Sequence, residues 1–280
     1  LKIYPADVLR FWTASGTLGH DISFSETQLK IGQKLVTKLW NAFKFIEEHT
    51  YQKTTYAEKP ESLGSLNEWL AHRASETFDL YAKHFAQYEF SLALNAVETF
   101  FWQDLCDNYL EIVKDQFFKP EQYTESEVAA TRWTLYTTGL KIIQLFCPFI
   151  PFVTETIYKH LYQKDIKTDM LSITDFSTIQ QPQIFETSKN TISLLLDIIA
   201  SVRKLKTSQA LSLKTPLETI TLYGVTKESL HALVPQEALL KGVTQAHIIV
   251  YETGTIEQNI LEKQGDAWII KAMINETSKL

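Results

Sequence analysis

The chain has 280 residues, 45% of them hydrophobic and 12% aromatic, and carries a net charge of −6. This composition excludes an intrinsically disordered chain, and the acidic balance excludes a surface coated in base for unspecific nucleic-acid binding while leaving room for a local basic face. The only cysteines, Cys106 and Cys147, lie far apart with no CxxC spacing, which argues against a disulfide framework or a structural zinc site and fits a reducing compartment. No apolar run reaches the ~18 residues of a membrane span. The length suggests two domains. No signal peptide is visible. The first residue is Leu rather than Met, so the chain reads as a piece of a longer one.

The first part reads as successive long helices. Pro5 opens a short helix to Ser15, where its missing N–H is harmless. After a loop over Gly16–Asp21, Ser25 is placed to cap a helix over Glu26–His49. Polar Tyr51–Ser62 is a linker, and helices follow over 66–88 and 90–118, the second ended by Lys119-Pro120. Thr124-Glu-Ser-Glu127 has capping-box spacing for a helix to Phe146, after which Cys147-Pro-Phe-Ile-Pro151 breaks the chain and Pro151 starts a helix to Tyr162. Beyond Gln163 the character changes. Residues 164–183 are polar and 187–207 form another helix. Glu218–Tyr223 and Ala246–Tyr251 alternate like strands, with a helix over 229–240 between them, interrupted by Pro235. The expected fold is mainly α: a helical bundle over 1–165 followed by a small α/β domain over 166–280.

Lys30–Phe45 is the most informative stretch. At about 100° per residue, Ile31, Leu35, Leu39, Ala42, Phe43 and Ile46 share one face. Lys30, Lys34, Lys38, Asn41 and Lys44 share another, and no acid stands between Thr27 and Ile46. Such a face either is simply solvated or holds a polyanion. Ser201-Val-Arg-Lys-Leu-Lys206 sets three cations near the end of the 187–207 helix, where they also suit the helix dipole. Trp12, Trp40, Trp69, Trp102 and Trp133 sit mostly in apolar patterns that suggest core, with Trp40 at the edge of the basic arc.

Asp104, Asp107 and Glu111 lie at i, i+3 and i+7 on one helix face. They could hold a metal or do acid–base work, but no His or second acidic helix accompanies them, so pairing with Lys or Arg of neighbouring helices is the expectation. The seven histidines are scattered and expected at the surface. There is no G-x-S-x-G, P-loop or G-x-G-x-x-G motif, so no catalytic or metal-ligating residue is assigned.

Ala6-Asp-Val-Leu-Arg-Phe-Trp12 resembles the first helix after the catalytic domain in class I aminoacyl-tRNA synthetases. Gly19-His-Asp-Ile-Ser-Phe24 resembles the loop that follows, and Lys38-Leu-Trp-Asn-Ala-Phe-Lys-Phe45 the first long helix of their anticodon-binding bundle. Phe100–Glu111 and Phe146–Glu155 are most similar to the valine-specific members, and Ser201–Lys206 to the basic helix preceding their small α/β unit. The resemblance implies a cytoplasmic parent enzyme that joins valine to tRNA(Val) with ATP and Mg²⁺. The HIGH and KMSKS signatures are not in this chain, which is therefore expected to be the tRNA-binding piece, without cofactor of its own. Its implied partners are the anticodon stem-loop of tRNA(Val) and the catalytic domain of the same chain, not DNA or membrane.

Carried over from the family, Lys38, Asn41 and Lys44 face the anticodon stem-loop, Asn41 on a base edge and the lysines on phosphates or a base acceptor. Many relatives have Arg at the last position, so Lys44 forgoes a planar fork. Lys30 and Lys34 add phosphate attraction, and Arg203 and Lys206 are further RNA candidates. Arg10 and Asp21 are expected to dock the bundle on the catalytic domain. Two rivals stay open: a fragment of an isoleucine- or leucine-specific synthetase, and a non-catalytic helical scaffold that binds protein.

Overall fold

A computed structural model describes residues 3–55, 57–174, 183–223, 231–252 and 269–274. The chain divides into two compact units, Leu1–Phe185 and Glu186–Leu280.

The first unit is helical. It runs through α1 (Ala6–Ala14), α2 (Glu26–Thr50), α3 (Ser65–Ala86) and α4 (Phe90–Thr99), which continues as a π-helix (Phe100–Tyr109) into α5 (Leu110–Phe118). Then come α6 (Glu125–Phe146), α7 (Pro151–Leu161) and the short α8 (Gln163–Ile166). α6 is buried over almost its whole circumference and forms the axis of the core. Its N-terminus carries the expected capping box, in which the Glu127 N–H donates to Thr124 Oγ1 (3.2 Å) and the Thr124 N–H donates to Glu127 Oε2 (2.8 Å). Ser25 stands before α2 as expected, but its side chain makes no capping bond.

α2 buries Leu29, Gly32, Leu35, Leu39, Ala42, Phe43 and Ile46. Ile31, expected on that face, is 40% exposed. The stripe instead runs through Gly32, where a Cβ would come within 2.9 Å of Phe11 Cδ1. The glycine thus lets α1 lie close against α2.

The stretch 90–118 is helical throughout, as expected, but not uniformly α. Buried Phe100/Phe101, Leu105/Cys106 and Tyr109/Leu110 recur at a wider interval than an α-helix allows, and the wider i→i+5 turn keeps all three pairs facing the core. The π-helix also points Tyr109 into a buried polar network. The Tyr109 hydroxyl donates to Asn67 Oδ1, and Asn67 Nδ2 donates to the Leu63 carbonyl (2.7 Å) and Thr131 Oγ1 (3.4 Å).

The first segment of the chain anchors the Cys147–Pro151 break. Asp7, 4% exposed, accepts from the backbone N–H groups of Phe152 (3.2 Å) and Val153 (2.7 Å) and so caps the N-terminus of α7. One turn along α1, Arg10 donates to the carbonyls of Phe149 (3.1 Å) and Pro148 (2.8 Å). Arg10 was expected to dock on another domain, but two of its guanidinium nitrogens are engaged inside this unit.

The division at Phe185 falls later than the expected 165/166, because Leu171, Thr174, Gln183 and Phe185 bond back to the bundle. Buried Leu171 donates its N–H to Glu155 Oε2 (2.9 Å), and Gln144 Nε2 donates to Thr174 Oγ1 (2.8 Å). The Gln183 and Phe185 N–H groups donate to Ser75 Oγ (3.1 Å) and His72 Nδ1 (2.9 Å) on α3. His72 is therefore buried, not a surface histidine, because its imidazole ends a backbone segment.

In the second unit, α9 (Glu186–Ser208) is followed by β1 (Leu217–Tyr223), α10 (Glu237–Thr244), β2 (Ala246–Glu252) and β3 (Ile269–Ile274). The sheet order is β2-β1-β3. β1 and β2 are parallel, with Leu217 opposite Ala246 and Tyr223 opposite Glu252, which requires the crossover that contains α10. The expected strands and α/β character are present. β3, antiparallel to β1, was not anticipated.

Lys141, on the axial helix α6 between buried Leu140 and Ile142, has its pKa pulled down to about 8 by burial. The folded value lies below the ordinary 10.5, so the folded chain binds fewer protons than the unfolded one between about pH 8 and 10.5, and stability rises with pH across that window. At pH 7 both states are charged and the burial penalty is present in full. Lys141→Met is expected to raise the urea midpoint at pH 7, with the advantage shrinking towards pH 10.5. A midpoint unchanged at pH 7 would refute the penalty.

Candidate functional site

The exposed face of α2 carries the expected constellation. Lys30, Lys34, Asn41 and Lys44 are exposed on one helix whose opposite face is locked into the bundle, so their Cα positions are fixed while their side chains reach solvent. Lys38 is half-buried, with its ammonium 5.6 Å from the centre of the Trp102 ring on the π-helix. Lys44 lies over Trp40 in the same way, at 5.9 Å. Each contact is a cation–π pair.

Of the tryptophans expected in the core, three depart: Trp40 is 37% exposed, Trp12 and Trp102 are half-buried, and Trp40 and Trp102 flank the lysine row. Trp69 and Trp133 are buried as expected. Aromatic faces beside ammonium groups suit single-stranded nucleic acid, where bases stack on rings and phosphates meet cations. The signal was in the sequence, since Trp40 falls between the two faces of α2, but periodicity alone does not say which side of the edge it takes.

The acidic row does not gather into a site. Asp104 Oδ2 accepts from Arg73 Nε (3.2 Å) and Nη2 (3.0 Å) on the neighbouring helix α3, as expected, whereas Glu111 pairs with Lys114 on its own helix rather than on a neighbouring one. Burial raises the Asp104 pKa while Arg73 pulls it back. Burial pushes the Cys106 thiol up to about 12, which leaves no thiolate nucleophile there at neutral pH. Among the described residues no three His, Cys, Asp or Glu side chains cluster as a metal site, and no helix is long and apolar enough to cross a membrane.

In the second unit the structure separates the two RNA candidates. Arg203 is half-buried on α9. Lys206 is 2% exposed, and its ammonium donates to the carbonyls of Leu213 (2.9 Å), Thr215 (2.6 Å) and Thr244 (2.9 Å). All three of its donor protons are engaged inside the protein, so Lys206 does not present a charge to RNA. Asp21 stands exposed in the loop between α1 and α2.

Comparison with known proteins places the chain in a family. The chain is 33% identical over 263 residues to a valine–tRNA ligase of Rickettsia conorii, covering 90% of this chain and 31% of that protein. It is 34% identical over 232 residues to the valine–tRNA ligase of Orientia tsutsugamushi, covering 79% and 27%. With that of Haloarcula marismortui the identity is 30% over 224 residues, covering 80% and 23%. The chain thus spans no more than about a third of the length of these relatives. A solved LeuRS–tRNA–LeuAMS ternary complex from Agrobacterium radiobacter K84 is a distant likeness, with a TM-score of 0.40 and 9% identity over 91% of this chain and 29% of that one. A family model described as the anticodon-binding domain of tRNA ligase matches residues 67–221, more than half of the sequence, and the chain belongs to that family.

Proposed function

We propose that this chain is the anticodon-binding region of a valine–tRNA ligase and that the outward face of α2 receives the anticodon stem-loop of tRNA(Val). The observation that carries the reading is a single rigid helix offering Lys30, Lys34, Lys38, Asn41 and Lys44 beside Trp40 and Trp102, in a chain whose net charge is negative. A polyanion is drawn to such a local face rather than to the surface at large. Asn41 is exposed and can both donate to and accept from a base edge, while Lys30 and Lys34 meet phosphates. Arg203 is a further phosphate contact in this reading. Asp21 serves the docking of a catalytic domain, in which ATP and Mg²⁺ would act in a cytoplasmic enzyme. RNA docking on α2 draws on neither.

Binding of the chain to tRNA(Val) transcripts with native and altered anticodons, at two salt concentrations, tests this. Tight binding is expected to prefer the native anticodon. Asn41→Ala is expected to lose that preference at a cost of about 1–3 kcal/mol, whereas Lys34→Ala weakens all transcripts alike and lowers the salt slope by about one. Equal losses for every transcript in both variants would remove the base-reading role of Asn41. Preference for an isoleucine or leucine tRNA in competition would reassign the amino acid. Absence of salt-dependent RNA binding would leave the face merely solvated.

A further inference from the structure

On the Lys44 side of the basic face, α2 and α7 enclose a cleft of about 190 Å³. Buried Phe43, Ile157 and Leu161 give it an apolar base, and the exposed Trp40 ring forms one wall. Lys44, Glu47 and His160 line it with polar groups. The volume is well below the ~300–1,000 Å³ of sites for drug-sized molecules and suits one flat ring system. Lys44 and Glu47 are spaced i, i+3, where opposite charges on a helix commonly pair. Among the described residues they do not: Lys44 leans back over Trp40, and Glu47 enters no ion pair. A donor and an acceptor therefore remain available beside an aromatic wall, at the end of a row of phosphate-binding groups.

We infer that this cleft takes a single unpaired nucleobase that carries an exocyclic amine, stacked on Trp40. Glu47 accepts from the amine and Lys44 donates to the neighbouring ring or keto acceptor. Cytosine, adenine and guanine offer such an edge, and uracil, which has no amine, does not. The inference rests on the reading of α2 as an RNA-docking face and extends it to a base that Asn41 does not read.

The test is a titration of the chain, at low and moderate salt, with pentaribonucleotides of cytidine, adenosine or uridine, followed by tryptophan fluorescence. Wild-type chain is expected to bind the cytidine and adenosine oligomers about tenfold more tightly than the uridine one. Trp40→Leu should weaken all three about tenfold, in line with loss of one stacked base. Glu47→Ala, at a site away from the core, should bring cytidine and adenosine down to the uridine level and leave the salt slope unchanged. Thermal melts of both variants show whether the fold is kept, and Trp40→Phe, which preserves a ring, should restore most of the affinity. Equal binding of all three oligomers by wild type, or affinities untouched by Trp40→Leu and Glu47→Ala, overturns the cleft while a salt slope lowered by Lys34→Ala leaves the α2 reading standing. Loss of salt-dependent binding altogether overturns both.

Discussion

Replacing Lys206 by Met is expected to destabilise the second unit by about 2–5 kcal/mol, although the side chain sits in a motif that reads as an RNA contact. The ammonium is interior, and burial lowers its pKa below the ordinary lysine value. Its three acceptors come from two places: Leu213 and Thr215 in the loop leading to β1, and Thr244 at the last turn of α10. One cation thus closes the end of α10, where carbonyls lack helical partners and the helix dipole is negative, and ties that end to the loop and to α9. Methionine fills the stem but leaves three carbonyls without their donor. Hydrogen exchange should show the loss in the amides of β1 and β2, with urea unfolding supplying its size. RNA affinity per folded molecule should keep its salt slope. A slope lowered by about one with exchange unchanged would instead make Lys206 a phosphate contact.

The misplacement of Lys206 shows where a sequence stops being readable. Ser201-Val-Arg-Lys-Leu-Lys206 looks like three equivalent cations, and charge patterning treats them so. The helical period does not: Leu195, Ile199 and Val202 are buried, and the next position on that stripe is Lys206. The stripe was legible, but a lysine at its end only makes sense once the three carbonyls are known, and those come from residues up to 38 positions away. Long-range backbone partners are what periodicity cannot supply. His72 is the same case, a scattered histidine until the Phe185 N–H arrives 113 residues later.

The helices themselves were readable because each carries its own signal, whether the Thr124–Glu127 capping box, the prolines at 120 and 151, or the apolar stripe of α2. The π-helix was not, since a search at the α-helical period takes Phe100–Tyr109 as ordinary helix even though its buried pairs recur at the wider interval. In the candidate site, the lysine row followed from spacing alone. Its aromatic flanks did not, because Trp102 comes from an element far away in sequence and Trp40 sits at an edge that packing alone decides.

Asp7 is expected to give the second large effect, and through it two of the segments that resemble synthetases, Ala6–Trp12 and Phe146–Glu155, become one structural device. Asp7→Ala should destabilise the first unit by about 1–3 kcal/mol, since it leaves the Phe152 and Val153 N–H groups without their carboxylate in a part-buried setting. Arg10→Met removes the donors that hold the Pro148 and Phe149 carbonyls on the other side of the same break. Both side chains secure one short piece of backbone, and once it is released by either change the other bond loses part of its value. The double variant should therefore lose less than the two single losses together, by more than the ~0.5 kcal/mol within which independent sites add. Urea unfolding of the four proteins measures the coupling. Strict additivity would mean that Asp7 and Arg10 act on separate features and that the arginine is open to the domain-docking role its position first suggested. A positive coupling ties the angle of α7, and with it Ile157, His160 and Leu161 along the cleft, to a carboxylate 145 residues away in sequence.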